Sequence, residues 1–110
     1  MLKLPWLNPI LSPNKRLHWA EKNAAKNKAK NDAYILALSH KPPRADTYHL
    51  KIIFHPPDKR SRDLDNCLAN IKGEVDSIAQ AWGVNDKQFR PITIDFGEVV
   101  KGGEITVEVL

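Results

Sequence analysis

The chain has 110 residues, of which 42% are hydrophobic and 27% are charged, and its formal net charge is +4 at pH 7. A chain of this length and composition is typical of a globular protein, so we expect residues 1–110 to form a single domain. No apolar run approaches the roughly 18 residues that a membrane-spanning helix requires. The N-terminus also lacks the apolar segment and cleavage site of a signal peptide, so we expect a cytoplasmic protein.

Charge is distributed unevenly along the chain. Residues 1–30 hold seven Lys or Arg against one acid, whereas residues 63–110 hold four basic residues against nine acidic ones. A basic arm or face suits a polyanionic partner such as nucleic acid, whereas a carboxylate-rich half repels that partner unless cations neutralise it.

Cysteine usage excludes two kinds of site. Cys67 is the sole cysteine, so the chain has no internal disulfide and no zinc site built of several thiolates. Its place on an apolar helix face, given below, favours an ordinary core residue over a nucleophile.

The first half of the chain predicts a strand, a helix and a second strand. Prolines at positions 5 and 9 confine LKLPWL to an edge strand or an extended segment. The Ala- and Lys-rich residues 19–39 predict a helix that ends before Pro42. In TYHLKIIFH, residues 47–55, the alternation predicts a strand with Tyr48, Leu50, Ile52 and Phe54 on one face.

The second half predicts a long helix and two strands. Apolar residues between Leu64 and Trp82 recur with a 3.6-residue period, and Gly83 follows as the C-terminal cap. Two alternating segments then flank residues 101–103, which read Lys-Gly-Gly and predict an antiparallel hairpin. The order is therefore β-α-β-α-β-β, an α/β (α+β) fold in which helices pack on a mixed sheet.

The stretch DKRSRDLDNC, residues 58–67, places cations directly before two aspartates. Asp63 precedes the apolar stripe and is the natural N-cap, and Asp65 lies in the first turn, where the helix dipole favours an acid. A capped helix is one interpretation. The other is a metal site beside phosphate-binding cations, because helix capping alone does not require the upstream Lys59, Arg60 and Arg62.

Helix geometry extends this polar site. At 100° per residue, Asp65, Ala69, Lys72 and Asp76 lie along one face, roughly opposite Cys67.

A third carboxylate, Asp86, follows in the loop after Gly83. The intervening helix would span about 30 Å if straight, so Asp86 could meet Asp63 only across a dimer interface or around a packed fold. An EF-hand is excluded because Leu68 stands where the calcium loop needs glycine. Mg²⁺ suits the carboxylates better, because water and substrate phosphate can complete its coordination shell.

The sequence resembles the RusA family of Holliday-junction resolvases of bacteria and their prophages. The resemblance is carried by PPDKRSRDLDN with the amphipathic helix after it, by WGVNDKQF and by KGGEITVEV. Near the N-terminus, LPW and SPNKRLHW are similar to that family's opening strand and Asn-containing loop. The likeness covers nearly the whole chain, and the basic run with RDLDN is its most specific part.

This resemblance implies a homodimeric, Mg²⁺-dependent endonuclease of DNA recombination and repair, with Mn²⁺ as a substitute metal. It assigns metal binding to Asp63, Asp65 and Asp86, with Asn85 where a further aspartate is common. Ala69 stands where the family tends to have a catalytic lysine, and the nearest lysine is Lys72. The residues expected to contact DNA are Asn14, Lys15, Arg16, Lys59, Arg60 and Arg62.

Three functional hypotheses follow. The first is a nuclease that nicks opposing strands of a four-way junction, which requires two sites and hence a two-fold dimer. The second is a protein that binds branched DNA without cutting it, which the absence of a lysine at Ala69 allows. The third is a small α/β protein whose aspartates only cap a helix.

Overall fold

A computed structural model describes residues 1–6 and 19–110, with side chains described from residue 23 onward in the second range. The expected order β-α-β-α-β-β is confirmed, with the second helix divided in two. The elements are β1 (Leu2–Pro5), α1 (Trp19–Leu38), β2 (Tyr48–His55), α2 (Leu64–Asn70), α3 (Lys72–Trp82), a 3₁₀ turn (Asp86–Gln88), β3 (Phe89–Phe96) and β4 (Glu104–Val109).

The four strands of the described residues form one mixed sheet in the order β1-β4-β2-β3. The strand β4 runs antiparallel to both of its neighbours, and β3 runs parallel to β2. The predicted terminal hairpin is therefore wrong, because β2 lies between β3 and β4. The reason is that β2 pairs along both of its edges. Ile52 pairs with Ile94 of β3 on one side and with Val107 of β4 on the other.

The connection between β3 and β4 crosses the end of β2 instead of turning back on itself. The Gly97 N–H donates to the Phe54 carbonyl at 2.9 Å, and the Val100 N–H donates to the Pro56 carbonyl at 3.0 Å. Gly102 and Gly103 then turn the chain into β4 with φ of 80° and 75°. The glycine pair thus marks a turn, as the sequence indicates, but the turn delivers β4 to the opposite edge of β2.

Burial along β2 follows the predicted alternation. Tyr48, Leu50, Ile52 and Phe54 are buried, and the residues between them are half-exposed on the other sheet face. Against this apolar face lie the buried residues of the helices, among them Ala33, Ala37, Cys67, Ile71, Ile78 and Trp82. The core therefore forms between one face of the sheet and the helices, as an amphipathic strand and amphipathic helices require.

The predicted helix Leu64–Trp82 is divided at Ile71. Its apolar stripe packs against the core as expected, with Leu64 and Leu68 only half-buried, but Ile71 has φ −101° and ψ 11°, outside helical geometry. The Ile71 N–H donates to the Leu68 carbonyl at 3.2 Å, which tightens the end of α2 into a shorter turn. Gly83 caps α3 with φ 69°, as predicted.

The helices α1 and α3 are tied together at one end by the Trp82 indole, whose Nε1–H donates to the Ala37 carbonyl at 2.9 Å. This bond satisfies a polar group inside the core.

In the described part of the chain, no helix combines the length and apolar character needed to cross a membrane.

Candidate metal and nucleic-acid site

Asp58 organises the basic loop that precedes α2. Its carboxylate accepts from Arg62 Nη1 at 2.9 Å and from Arg60 Nε at 3.2 Å, and its Oδ1 also accepts from the Arg60 backbone N–H at 3.0 Å. The hydrogen bond from Arg62 and the Arg60 backbone bond hold the pKa of Asp58 well below its ordinary value. This loop therefore has a defined conformation built from contacts within four residues.

Arg62 is the internal member of the basic run. Its guanidinium lies 5.5 Å from the centre of the Trp6 ring and also donates to the Asp58 and Arg60 carbonyls at 3.3 and 3.1 Å. The Arg62 side chain is 17% exposed, whereas that of Arg60 is 80% exposed. Solvent thus reaches Arg60 and the exposed Lys59, while Arg62 joins the loop to the end of β1.

Asp63 is the N-cap of α2, as the sequence predicts. Its Oδ1 accepts from the Asp65 N–H at 2.9 Å, and its backbone is extended with φ −94° and ψ 121°. The carboxylate Oδ2 of Asp63 lies outside this bond, and both Asp63 and Asp65 are exposed. The cap therefore holds one exposed carboxylate two residues from a second one, so capping and metal binding are compatible.

Asp86 lies beyond the C-terminal end of α3, whereas Asp63 and Asp65 lie at the start of α2. Asn85 holds the turn with a capping box: it accepts from the Lys87 N–H at 2.9 Å, and its own N–H donates to Gln88 Oε1 at 2.9 Å. Asp86 shares an open groove with Asp76 of α3. Within residues 1–6 and 19–110, no three His, Cys, Asp or Glu residues are grouped so that they could hold a metal ion.

The residues of the predicted polar row, Asp65, Ala69, Lys72 and Asp76, are all exposed, and all but Asp65 line one cavity. The cavity has a volume of about 390 Å³ and opens between these residues and α1. Its lining residues are Lys26, Lys30, Ala69, Asn70, Lys72, Gly73, Glu74 and Asp76. Lys72 therefore shares a cavity with two lysines of α1.

Two proteins are similar to this chain. A protein of Xylella fastidiosa (strain Temecula1), described as uncharacterized, is 34% identical over 115 aligned positions, which cover 98% of the chain and 74% of that protein. The chain belongs to the same family as this protein. The crossover junction endodeoxyribonuclease rusA of Enterobacteria phage HK97 is 39% identical over 61 residues, which are 54% of the chain and 48% of the phage protein. No protein-family model matches the chain.

The motif-based resemblance therefore has support from a partial similarity to a protein of the same name.

The predicted DNA contacts Asn14, Lys15 and Arg16 lie outside the described residues. Cys67 is a buried core residue, as predicted, and burial raises the pKa of its thiol.

Sequence reasoning missed Glu74 and the lysines of α1. Glu74 is 8% exposed, and burial raises its pKa to about 7, although Lys26 and Lys30 favour the ionised form. A signal was present, because Glu74 lies three residues after Ile71 and four before Ile78, on the apolar stripe. For Lys26 and Lys30 the signal was a Lys-rich helix, which by itself is also typical of a solvated surface.

Proposed function

We propose that this protein is a homodimeric, metal-dependent endonuclease that resolves four-way DNA junctions by paired nicks. The partial similarity to a phage protein named as a crossover junction endodeoxyribonuclease supports the substrate class. The observation that carries the chemistry is the Asp63–Asp65 pair, two exposed carboxylates two residues apart, of which the first is held as an N-cap, directly after a basic loop.

These carboxylates fit a hard divalent cation. Mg²⁺, with Mn²⁺ as a substitute, prefers carboxylate oxygens and keeps several waters, and both aspartates are open to solvent. When bound, such a cation supplies polarisation of the scissile phosphate and a water of lowered pKa. Asp63 and Asp65 would hold it, with the N-cap fixing the position of the first carboxylate.

The cations of the chain have a separate task, which is to offset repulsion between DNA and the aspartates. Lys59 and Arg60 are exposed in the loop that precedes Asp63, so they would contact phosphates near the cut. Lys72 begins α3, directly after the break at Ile71, and would stabilise charge on the reacting phosphate. Water would displace the 3′ oxygen, leaving a 5′ phosphate and a nick that a ligase can seal.

A dimer gives Asp86 a path to the same site. Within one chain Asp86 follows α3 and Asp63 precedes α2, so a shared metal would take Asp86 from the second copy. Resolution of a junction also needs two symmetric cuts, which a two-fold dimer with two sites provides.

The test is cleavage of a synthetic four-way junction by wild-type protein and by Asp65→Asn, with Mg²⁺, with Mn²⁺ and with EDTA. We expect the substitution and EDTA each to abolish cutting while junction binding persists. Asp46→Asn, which changes an exposed aspartate outside the site, is the matched control and should cut normally. Equal cutting by Asp65→Asn, or undiminished cutting in EDTA, would show that the catalytic assignment is wrong.

A second candidate function is recognition of branched DNA without cleavage. It is favoured by Ala69, which stands where the RusA resemblance leads us to expect a lysine. Wild-type protein that binds junctions but never cuts them with either metal would establish this function. Equal affinity for junctions and linear duplexes would contradict both functions.

A further inference from the structure

The cavity between α1 and α3 gathers three lysines from distant parts of the chain. Lys26 and Lys30 come from α1, and Lys72 is the first residue of α3. A spacing of four residues puts Lys26 and Lys30 on one side of α1, whereas Lys28 between them forms an ion pair with Asp32 at 2.8 Å. The two cavity lysines thus face α3, and their neighbour on the same helix does not line this cavity.

Small residues on the opposite wall let the lysine stems approach closely. A methyl group built on Gly73 would lie 3.2 Å from Lys30 Cγ, 3.3 Å from Lys30 Cδ and 3.8 Å from Lys26 Cε. Ala69 is the other small residue of this wall. The aliphatic stems therefore pack over the start of α3, and both lysines line the cavity.

The charges of the cavity favour an anion. Three lysines line it against two acids, Glu74 and Asp76. The ion pairs found among the described residues are Lys28–Asp32, Arg60–Asp58 and Arg62–Asp58, and none of them uses a cavity lysine. Burial of Glu74 also disfavours its charged form, which further reduces the negative charge of the wall.

We propose that Lys26 and Lys30 bind one phosphate group of a DNA strand in this cavity, next to Lys72, which the proposed function assigns to the reacting phosphate. That the ligand is DNA rests on the proposed function; the anion site itself rests on the lysine geometry. Ala69 and Asn70 at the end of α2 line the cavity, and Asp65 lies in the first turn of the same helix, so a strand crossing the aspartate pair would continue over α3 and α1. The Lys-rich face of α1 is then part of the DNA-binding surface.

The decisive experiment compares Lys26→Gln/Lys30→Gln with Lys28→Gln, which removes charge from the same helix outside the cavity. DNA without terminal phosphates is titrated by fluorescence anisotropy at several salt concentrations. Loss of one phosphate contact should reduce the slope of log Kd against log salt by about 1. Lys28→Gln should keep the wild-type slope, and thermal melting should show that all variants are folded.

A second measurement reports the site directly. The backbone amide of Gly73, followed by ¹H–¹⁵N NMR, should shift when the oligonucleotide is added, and this shift should be lost in the double variant and retained in Lys28→Gln. A Gly73 shift with inorganic phosphate or a mononucleotide but none with the oligonucleotide would indicate a site for a free phosphate compound and would overturn the assignment to DNA.

The outcomes separate this site from the proposed nuclease. If the salt slope of DNA binding is lower in the double variant than in wild type, but wild-type protein never cuts junctions, the phosphate site is supported and the proposed nuclease activity is refuted. If wild-type protein cuts and the double variant binds with the wild-type slope, the nuclease stands and the phosphate site is overturned. Absence of any DNA binding by wild-type protein would refute both.

Discussion

The start of α2 and the cavity between α1 and α3 are both polar surfaces, but they are built in different ways. At the start of α2, every described contact that orders the acids and cations, apart from the Arg62–Trp6 contact, joins residues within four positions of each other. In the cavity, Lys30 packs on Gly73, more than forty residues away. Local sequence therefore specifies the first surface, and the packing of two helices specifies the second.

This difference predicts how each surface fails. A locally built site loses its chemistry when one group is changed but keeps its shape if hydrogen bonding is preserved. A site made by packing depends on the relative position of two helices. The pKa of a group in such a site depends on its burial and on the neighbouring charges. Substitutions at Asp63 and Glu74 should separate these two behaviours.

The largest effect is expected at Asp63, where capping and the proposed catalysis can be separated. Asn is as good an N-cap as Asp but lacks its charge, so Asp63→Asn should cut junctions at least roughly a hundredfold more slowly, with stability nearly unchanged. Asp63→Ala should lose both the proposed catalytic activity and the helix cap. Loss of the cap should lower the free energy of unfolding by about 1 kcal/mol. Cleavage rates measure the activity, and urea denaturation measures the stability. Normal cutting by Asp63→Asn would show that Asp63 is only a helix cap.

The next effect is a pH dependence of stability that arises from Glu74. Its pKa in the folded protein is about 7 against an ordinary value of 4.5, so the folded state holds the proton more tightly than the unfolded state does. Stability from this group is therefore complete below about pH 4.5 and is lost as pH rises through 7. The charged residues that line the two cavities bordering Glu74 are Lys26, Lys28, Lys30, Asp32, Lys72 and Asp76.

Glu74→Gln removes this titration. The variant should match wild type near pH 4 and should be more stable at pH 8, by on the order of 2 kcal/mol. Urea denaturation across this pH range measures the difference, and Glu98→Gln at an exposed position is the control. A Glu74→Gln stability difference that stays constant with pH would show that Glu74 does not titrate in this window.

The contrast also explains how much the sequence could predict. Burial along β2, the cap at Asp63 and the cap at Gly83 were predictable, because periodicity and capping are local. The hairpin prediction failed because local turn signals do not say which edge of β2 each later strand will join. Lys26 and Lys30 were not predicted as site residues for the same reason, since only packing of α1 on α3 brings them to Lys72.

The smallest effects are expected within the basic loop, where Arg60 and Arg62 look equivalent in sequence. Arg62 is mostly buried against Trp6 and donates to Asp58, so Arg62→Ala should lower the free energy of unfolding by on the order of 1–2 kcal/mol. Arg60 is 80% exposed, so Arg60→Ala should change stability by less than about 0.5 kcal/mol.

DNA binding should separate the same two residues in the opposite sense. Arg60→Ala removes an exposed cation, so it should reduce the salt slope of junction binding by about 1, similarly for any sequence. Arg62→Ala should alter binding chiefly through loss of loop order, which a lower temperature or added stabilising osmolyte should partly restore. Equal stability losses in the two variants would contradict the internal role of Arg62, because an anchor and a solvated cation cannot respond alike to truncation.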